Sequence, residues 1–218
     1  MNARGLSAII TIAKYFDEGE LLRIMNSTNG IITVFAGSAS RPFAQKMCDY
    51  LGVELGKSTT HIFSEGGIYV RADESIRNKD VYIVQSIGKD PNNAVTELIF
   101  WIDAFKRASA NSITAIIPYF GYAKADKKDE PRVSIRARVC ADCIEMCGAD
   151  RVVTMDLHAA QVQGFFSKPV DHLYASALLC EYARHLGIVN ENLVVVSPDA
   201  GSAKRARAYA NILGCNVA

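Results

Sequence analysis

The sequence predicts a mostly parallel α/β sheet with flanking helices, and three observations carry that prediction. Short continuous β-branched runs recur along the chain, amphipathic stretches of helical length separate them, and small, polar or aromatic residues follow each run. Continuous apolar runs of four or five residues suit strands buried on both faces, and their alternation with helices favours parallel crossover units. Half of the 218 residues are hydrophobic, enough to bury a substantial core.

Taken in order, residues 1–30 read as an N-terminal extension with helical character. Their apolar stretch is too short to span a bilayer and runs into Asp17, Glu18 and Glu20, so no membrane anchor is expected. The first strand is expected at 31–35 and a helix at 40–52. A run at 67–71 alternates like an edge strand or hairpin arm and is expected to sit apart from the main sheet. Further strands are expected at 80–84, 113–117, 151–155 and 193–196, with helices at 92–109, 134–147, 174–186 and 201–213. The one plausible break is the polar stretch 187–192, which divides the chain into a domain at 31–186 and the start of a second at 187–218.

Composition narrows the function classes. Lys and Arg together number 24 against 23 Asp and Glu, so no global field points to a nucleic-acid or membrane partner, and any anion site must be local. Six cysteines are scattered, without the dense framework of small secreted domains, which fits reduced thiols and a cytoplasmic protein. Cys140, Cys143 and Cys147 share one helical face and could be read as metal ligands. They lie in an amphipathic helix pattern, where cysteine more often serves as a small hydrophobe.

In open α/β sheets ligands gather outside the carboxyl ends of the strands. Two such ends carry chemistry-bearing residues: Asp156 and His158 after one strand, and Asp199 after another. His158 and Asp199 could hold a hard divalent cation whose shell is completed by water and phosphate oxygens. The competing reading has Asp199 capping the helix near 201 and His158 bonded in the interior. The segment 121–138 contains six cationic residues and could clamp polyphosphate, or be a solvated loop in which Asp126, Asp129 and Glu130 balance the cations. No G-x-x-x-x-G-K-[ST] loop occurs, which disfavours a P-loop kinase.

A continuous series of segments carries a resemblance. Phe35-Ala36-Gly37-Ser38, Phe63-Ser64-Glu65-Gly66, Val84-Gln85-Ser86, Lys124-Ala125-Asp126-Lys127-Lys128, Asp156-Leu157-His158, Gln161-Val162-Gln163-Gly164-Phe165-Phe166 and Ser197-Pro198-Asp199 follow one another in the order and spacing of the ribose-phosphate pyrophosphokinases. The chain resembles that family from about residue 33 to 213. The resemblance implies the type I phosphoribosyltransferase fold, with the second domain incomplete. It also implies transfer of a diphosphate from Mg-ATP to ribose 5-phosphate, giving phosphoribosyl pyrophosphate and AMP.

Roles follow by resemblance alone. His158 and Asp199 match Mg²⁺-binding positions, and His158 also lies at the ATP phosphates as the catalytic candidate. Phe63 and Glu65 match a loop that contacts the adenine of ATP bound mainly by a neighbouring subunit, which implies a homo-oligomer. Lys124 and Asp126 match ATP-binding positions, and Gln163 and Asp171 match a regulatory phosphate or nucleotide region. Departures accompany these matches: Gly67 replaces an acidic residue, Ala125 an amide, Lys124 an arginine and His172 an asparagine.

Family members continue beyond the position equivalent to Ala218 with a catalytic Lys-x-Arg loop and an acidic Asp-Asp loop that grips ribose 5-phosphate. No Asp-Asp pair occurs in this chain. The expectation is therefore that these 218 residues alone do not turn over. The alternative is a non-catalytic regulatory subunit that associates with full-length synthetase chains. An ordinary phosphoribosyltransferase is disfavoured by the same missing acidic signature.

Overall fold

The computed structural model describes residues 32–218, so the expected extension at 1–30 lies outside the described residues. The described residues form two compact units, one reaching Leu173 and the other running from Tyr174 to Ala218. No helix among them is long and apolar enough to cross a membrane.

The larger unit is built on five parallel strands: β1 (Ile32–Ala36), β4 (Asp80–Val84), β5 (Ser112–Ile117), β6 (Arg151–Met155) and β7 (Val170–Leu173), neighbours in that order. Three helices connect them: α1 (Arg41–Leu51), α2 (Pro91–Arg107) and α3 (Arg136–Cys147). Side chains alternate across the strands and so build two cores. Phe35, Val81, Ile83, Ala115 and Val152 face α2 and α3, whereas Val34, Ala36 and Val84 face Ala44 and Cys48 of α1. The first core centres on three buried rings, with Phe35 6.1 Å from Trp101 and 4.9 Å from Phe105. Deleting one such ring costs about 3–5 kcal/mol.

Helix α2 begins on strong local signals. Asp90 accepts a hydrogen bond from Asn93 N and also holds the Asn93 side chain at 2.7 Å, and Pro91 occupies the first turn, where its missing N–H costs nothing. Lys106 and Arg107 in the last turn complement the helix dipole.

The arm expected at 67–71 is β3 (Ile68–Ala72), paired antiparallel with β2 (Ser58–Ile62) in a hairpin outside the main sheet. Val70 and Ala72 dock it onto the core beside α2. The run at 193–196 departs from expectation. Only β8 (Val194–Val195) is strand, and it pairs with β9 (Asn216–Val217) in a separate two-stranded sheet of the smaller unit. Those two residues are exposed or half-buried, so the run lacks the two covered faces of a central strand. In the same unit α4 (Ser176–His185) packs on α5 (Ala203–Leu213).

Candidate functional site

The carboxyl ends of the strands carry two clusters of different character. The first joins the turns after β1 and β4. Gly37 sits so close to Gln85 that an added Cβ would lie 2.3 Å from its Oε1, so only glycine lets the turn approach. Gln85 is fully buried; its amide nitrogen donates to Glu97 Oε2 at 2.8 Å and its oxygen accepts from Ala39 N at 3.2 Å. Glu97 is 2% exposed and also accepts from Ser38 N at 2.9 Å, from the Ser38 hydroxyl, and more weakly from Thr60 Oγ1 and Trp101 Nε1, both at 3.4 Å. Ser86 N donates to Ser40 Oγ at 2.7 Å. A carboxylate with this many donors is satisfied where it lies. Gln85 is therefore committed to the interior.

The second cluster lies beyond β5 and β6. The chain after β5 is pinned at Phe120, which pairs with Ile87, and at Gly121, where a Cβ would lie 2.2 Å from the Ile87 carbonyl oxygen. A short 3₁₀ turn, Gly121–Lys124, follows, and the Tyr122 hydroxyl donates to Asn92 Oδ1 at the start of α2. Ala125 N donates to Tyr122 O at 3.0 Å, fixing the backbone between the exposed Lys124 and the half-buried Asp126. Asp126 in turn accepts from Gln161 Nε2 at 2.9 Å.

Gln161 belongs to a second 3₁₀ turn, Ala160–Phe165, that closely follows β6. Between them Asp156 takes a left-handed conformation at φ 45°, which few residues other than Asn, Asp and Gly tolerate. Its N–H donates to Leu173 O at 2.9 Å, and the next N–H, of Leu157, donates to His172 Nε2 at 2.9 Å. Leu157 is buried and His158 is exposed beside it. The structure thus brings the Lys124–Asp126 segment and the His158 segment to one end of the sheet. Burial holds the His172 imidazole below its ordinary pKa, and the nearby Asp156 opposes that shift.

Phe63 and Glu65 lie at the tip of the hairpin, away from this cluster in their bonding. Phe63 N donates to Gly67 O at 2.8 Å to close the tip. The Phe63 ring meets His61 edge-on at 4.9 Å and Tyr69 at 6.4 Å, leaving an exposed aromatic group with Glu65 beside it. A Cβ at Gly67 would meet Glu65 Oε1 at 3.5 Å, an ordinary contact, so the backbone does not demand glycine there.

Asp199 belongs to the smaller unit. Its Oδ1 accepts from Ser202 N at 2.7 Å, which is the capping role expected for it as the alternative to a metal ligand. Gln163 donates to Ala160 O at 2.9 Å, while Asp171 pairs with Arg151 at 2.7 Å. Neighbouring residues of β7 point to opposite faces, so Asp171 faces away from His172, which Gln163 approaches at 3.4 Å. Cys140 is buried in α3, and desolvation pushes its thiol up to about 11, as befits a core residue. Among the described residues no group of three or more His, Cys, Asp or Glu could hold a metal ion.

Sequence reasoning missed Glu97 and Gln161. Glu97 leaves a signal, since it interrupts an otherwise apolar helix face between Ala94, Leu98 and Trp101. Gln161 leaves none, because its partner lies 35 positions away.

Residues 32–148 match the family described as the N-terminal domain of ribose phosphate pyrophosphokinase. The chain is 50% identical over 190 residues to a ribose-phosphate pyrophosphokinase of Porphyromonas gingivalis, an alignment covering 87% of this chain and 60% of that protein. Against the enzyme of the same name from Deinococcus radiodurans it is 47% identical, covering 89% and 61% respectively. The crystal structure of phosphoribosylpyrophosphate synthetase from Mycobacterium smegmatis superposes with a TM-score of 0.81 at 42% identity, over 85% of this chain and 62% of that one. The chain spans about 60% of the length of these relatives.

Proposed function

The chain belongs to the ribose-phosphate pyrophosphokinase family, with its type I phosphoribosyltransferase-like fold, and from that premise we propose that it supplies the Mg-ATP side of diphosphate transfer to ribose 5-phosphate. One observation carries the reading. The Gln161–Asp126 hydrogen bond draws the basic segment after β5 against the turn that presents His158, so a cation, a carboxylate and an imidazole gather at one end of a parallel sheet. That is where an α/β sheet receives ligands.

In this reading Lys124 neutralises phosphate charge, Asp126 orients the segment through Gln161, and His158 donates to a phosphate oxygen. Catalysis of this kind rests on alignment and charge neutralisation more than on covalent chemistry by the protein. By resemblance to the family His158 and Asp199 are each proposed as Mg²⁺ ligands, an imidazole and a carboxylate of the kind that would join the phosphate and water ligands of a nucleotide-borne Mg²⁺. Bound there, such an ion would supply charge neutralisation at the transferred group.

Phe63 and Glu65 fit the adenine side of a neighbouring subunit's site, which makes the protein a homo-oligomer. Gln163 and Asp171 belong to a regulatory region, and the second domain of the family begins near 187, within the smaller compact unit that starts at Tyr174. The protein serves nucleotide biosynthesis in the cytoplasm. Ribose 5-phosphate is gripped by segments that the full-length relatives carry beyond the matched region.

A second reading makes the chain a non-catalytic subunit of a synthetase assembly. Ala125 favours it by offering no polar side chain between Lys124 and Asp126, as does Gly67, where an acidic side chain would fit without strain. AMP formation from Mg-ATP and ribose 5-phosphate separates the readings when measured for the chain alone and mixed with a full-length synthetase. The first reading expects Mg-ATP binding by the chain itself and little turnover without the ribose 5-phosphate segments. Altered activity or assembly size on mixing, without nucleotide binding by the chain, supports the second. Absence of both binding and association removes both.

A further inference from the structure

The start of the turn that carries His158 is hydrogen-bonded to the neighbouring strand β7. Both amides that fix it are received by β7: Asp156 N by the Leu173 carbonyl and Leu157 N by a ring nitrogen of His172, each at 2.9 Å. The register of β6 on β7 sets Thr154 opposite His172, which brings that ring to the end of β6 where the chain leaves the sheet. Asp156 sits in a left-handed conformation that an unsupported chain seldom keeps. His158 follows directly on Leu157, so the Leu157 amide fixes where the imidazole of His158 is aimed.

We infer that His172 is a positioning residue for the His158 turn, acting through the Leu157 N–H. The inference rests on the reading that His158 meets the phosphates of Mg-ATP. Chemistry fixes the state of the ring. A backbone N–H can only donate, so Nε2 must be the bare nitrogen and the proton of the neutral imidazole sits on Nδ1. The Gln163 amide nitrogen, 3.4 Å from Nδ1 and already donating to Ala160 O, is a donor as well, so in this tautomer that approach is not a hydrogen bond. Burial of His172 favours the uncharged ring that the acceptor role requires. An asparagine at this position would reach less far than the imidazole's distal nitrogen, whereas glutamine places an amide oxygen near where Nε2 lies.

The test uses the 218-residue chain and two variants, His172→Leu and His172→Gln, with amide hydrogen exchange at Leu157 and calorimetric titration of Mg-ATP as readouts. In His172→Leu the Leu157 amide exchanges about tenfold faster and Mg-ATP binds about five- to tenfold more weakly, while His172→Gln stays within about threefold of the parent on both. Unchanged Leu157 protection in His172→Leu overturns the inference. Lost protection with unchanged Mg-ATP affinity also overturns it, because the turn would then not need the contact. If the unsubstituted chain binds no Mg-ATP, the nucleotide reading fails, and Leu157 exchange still decides the contact. If His172→Leu does not fold, the ¹⁵N shifts of His172 in the unsubstituted protein decide it: an unprotonated Nε2 supports the assignment and a protonated Nε2 overturns it.

Discussion

The two clusters at the carboxyl end of the sheet use similar residues for opposite ends. Around Glu97 the buried carboxylate and the buried Gln85 amide face one another, and the exposed Ser38 and Thr60 hydroxyls donate to the same carboxylate from the solvent side. Around Asp126 and His158 the polar groups are exposed or half-buried, and the side-chain hydrogen bond from Gln161 to Asp126 ties the two segments together. A buried carboxylate surrounded by donors is structural, because every lone pair is taken. The exposed Lys124 and His158 side chains, on segments braced through the half-buried Asp126, are available to a ligand. What marks the site is a pair of exposed side chains, Lys124 and His158, on backbones held by hydrogen bonds.

Substitutions in the two clusters should therefore separate stability from binding. The largest effect is expected at the buried cluster, where Glu97→Ala strands the Gln85 and Trp101 donors and the Ser38 amide. It should lower unfolding free energy by about 3–4 kcal/mol in urea denaturation, with the slope of the transition unchanged. A loss under about 1 kcal/mol would mean that the cluster is wet and would erase the contrast. Gly121→Ala should cost about 2–3 kcal/mol, since its Cβ meets a backbone oxygen that has little room to yield. Mg-ATP affinity should fall with it, because the Lys124–Asp126 segment hangs from that contact.

At the exposed cluster the balance reverses. Asp126→Asn should change stability by less than about 0.5 kcal/mol in the same assay. Its Mg-ATP affinity should fall about five- to tenfold by calorimetry. The smallest effect concerns pH. The His172 imidazole is harder to protonate in the fold than its ordinary value of 6.5, so unfolding takes up a proton in acid and stability declines as pH falls below that value. His172→Gln should remove that part of the decline, measured as a difference in Tm between neutral and mildly acidic buffer. A parent chain that gained stability on acidification relative to this variant would contradict the sign.

Much of this arrangement could be read from the residues. The four strands buried on both faces, β1, β4, β5 and β6, announce themselves as continuous β-branched runs, and α1 to α5 fall within two or three residues of their amphipathic patterns. Strand β2, Ser-Thr-Thr-His-Ile, is polar and mostly exposed, and β7, Val-Asp-His-Leu, is a half-buried edge strand of four residues. Neither has the apolar run that marks a central strand, so both were invisible. The site was legible at Lys124, Asp126 and His158 because strand ends are where ligands gather. Asp199 was ambiguous, and its side chain does cap the turn at Ala200–Ser202. The bracing was not legible at all. Gln161 on Asp126 and His172 on Leu157 join residues distant in sequence, and only the register of β7 on β6 brings the second pair together.

The exposed cluster is proposed to receive the phosphates of Mg-ATP. Calorimetric titration of Mg-ATP into the chain and into His158→Ala tests it most directly, with Tm recorded for both. Saturable binding is expected, weakened about tenfold or more in the variant while Tm stays within about 1 °C. Equal affinity in the two proteins would contradict it.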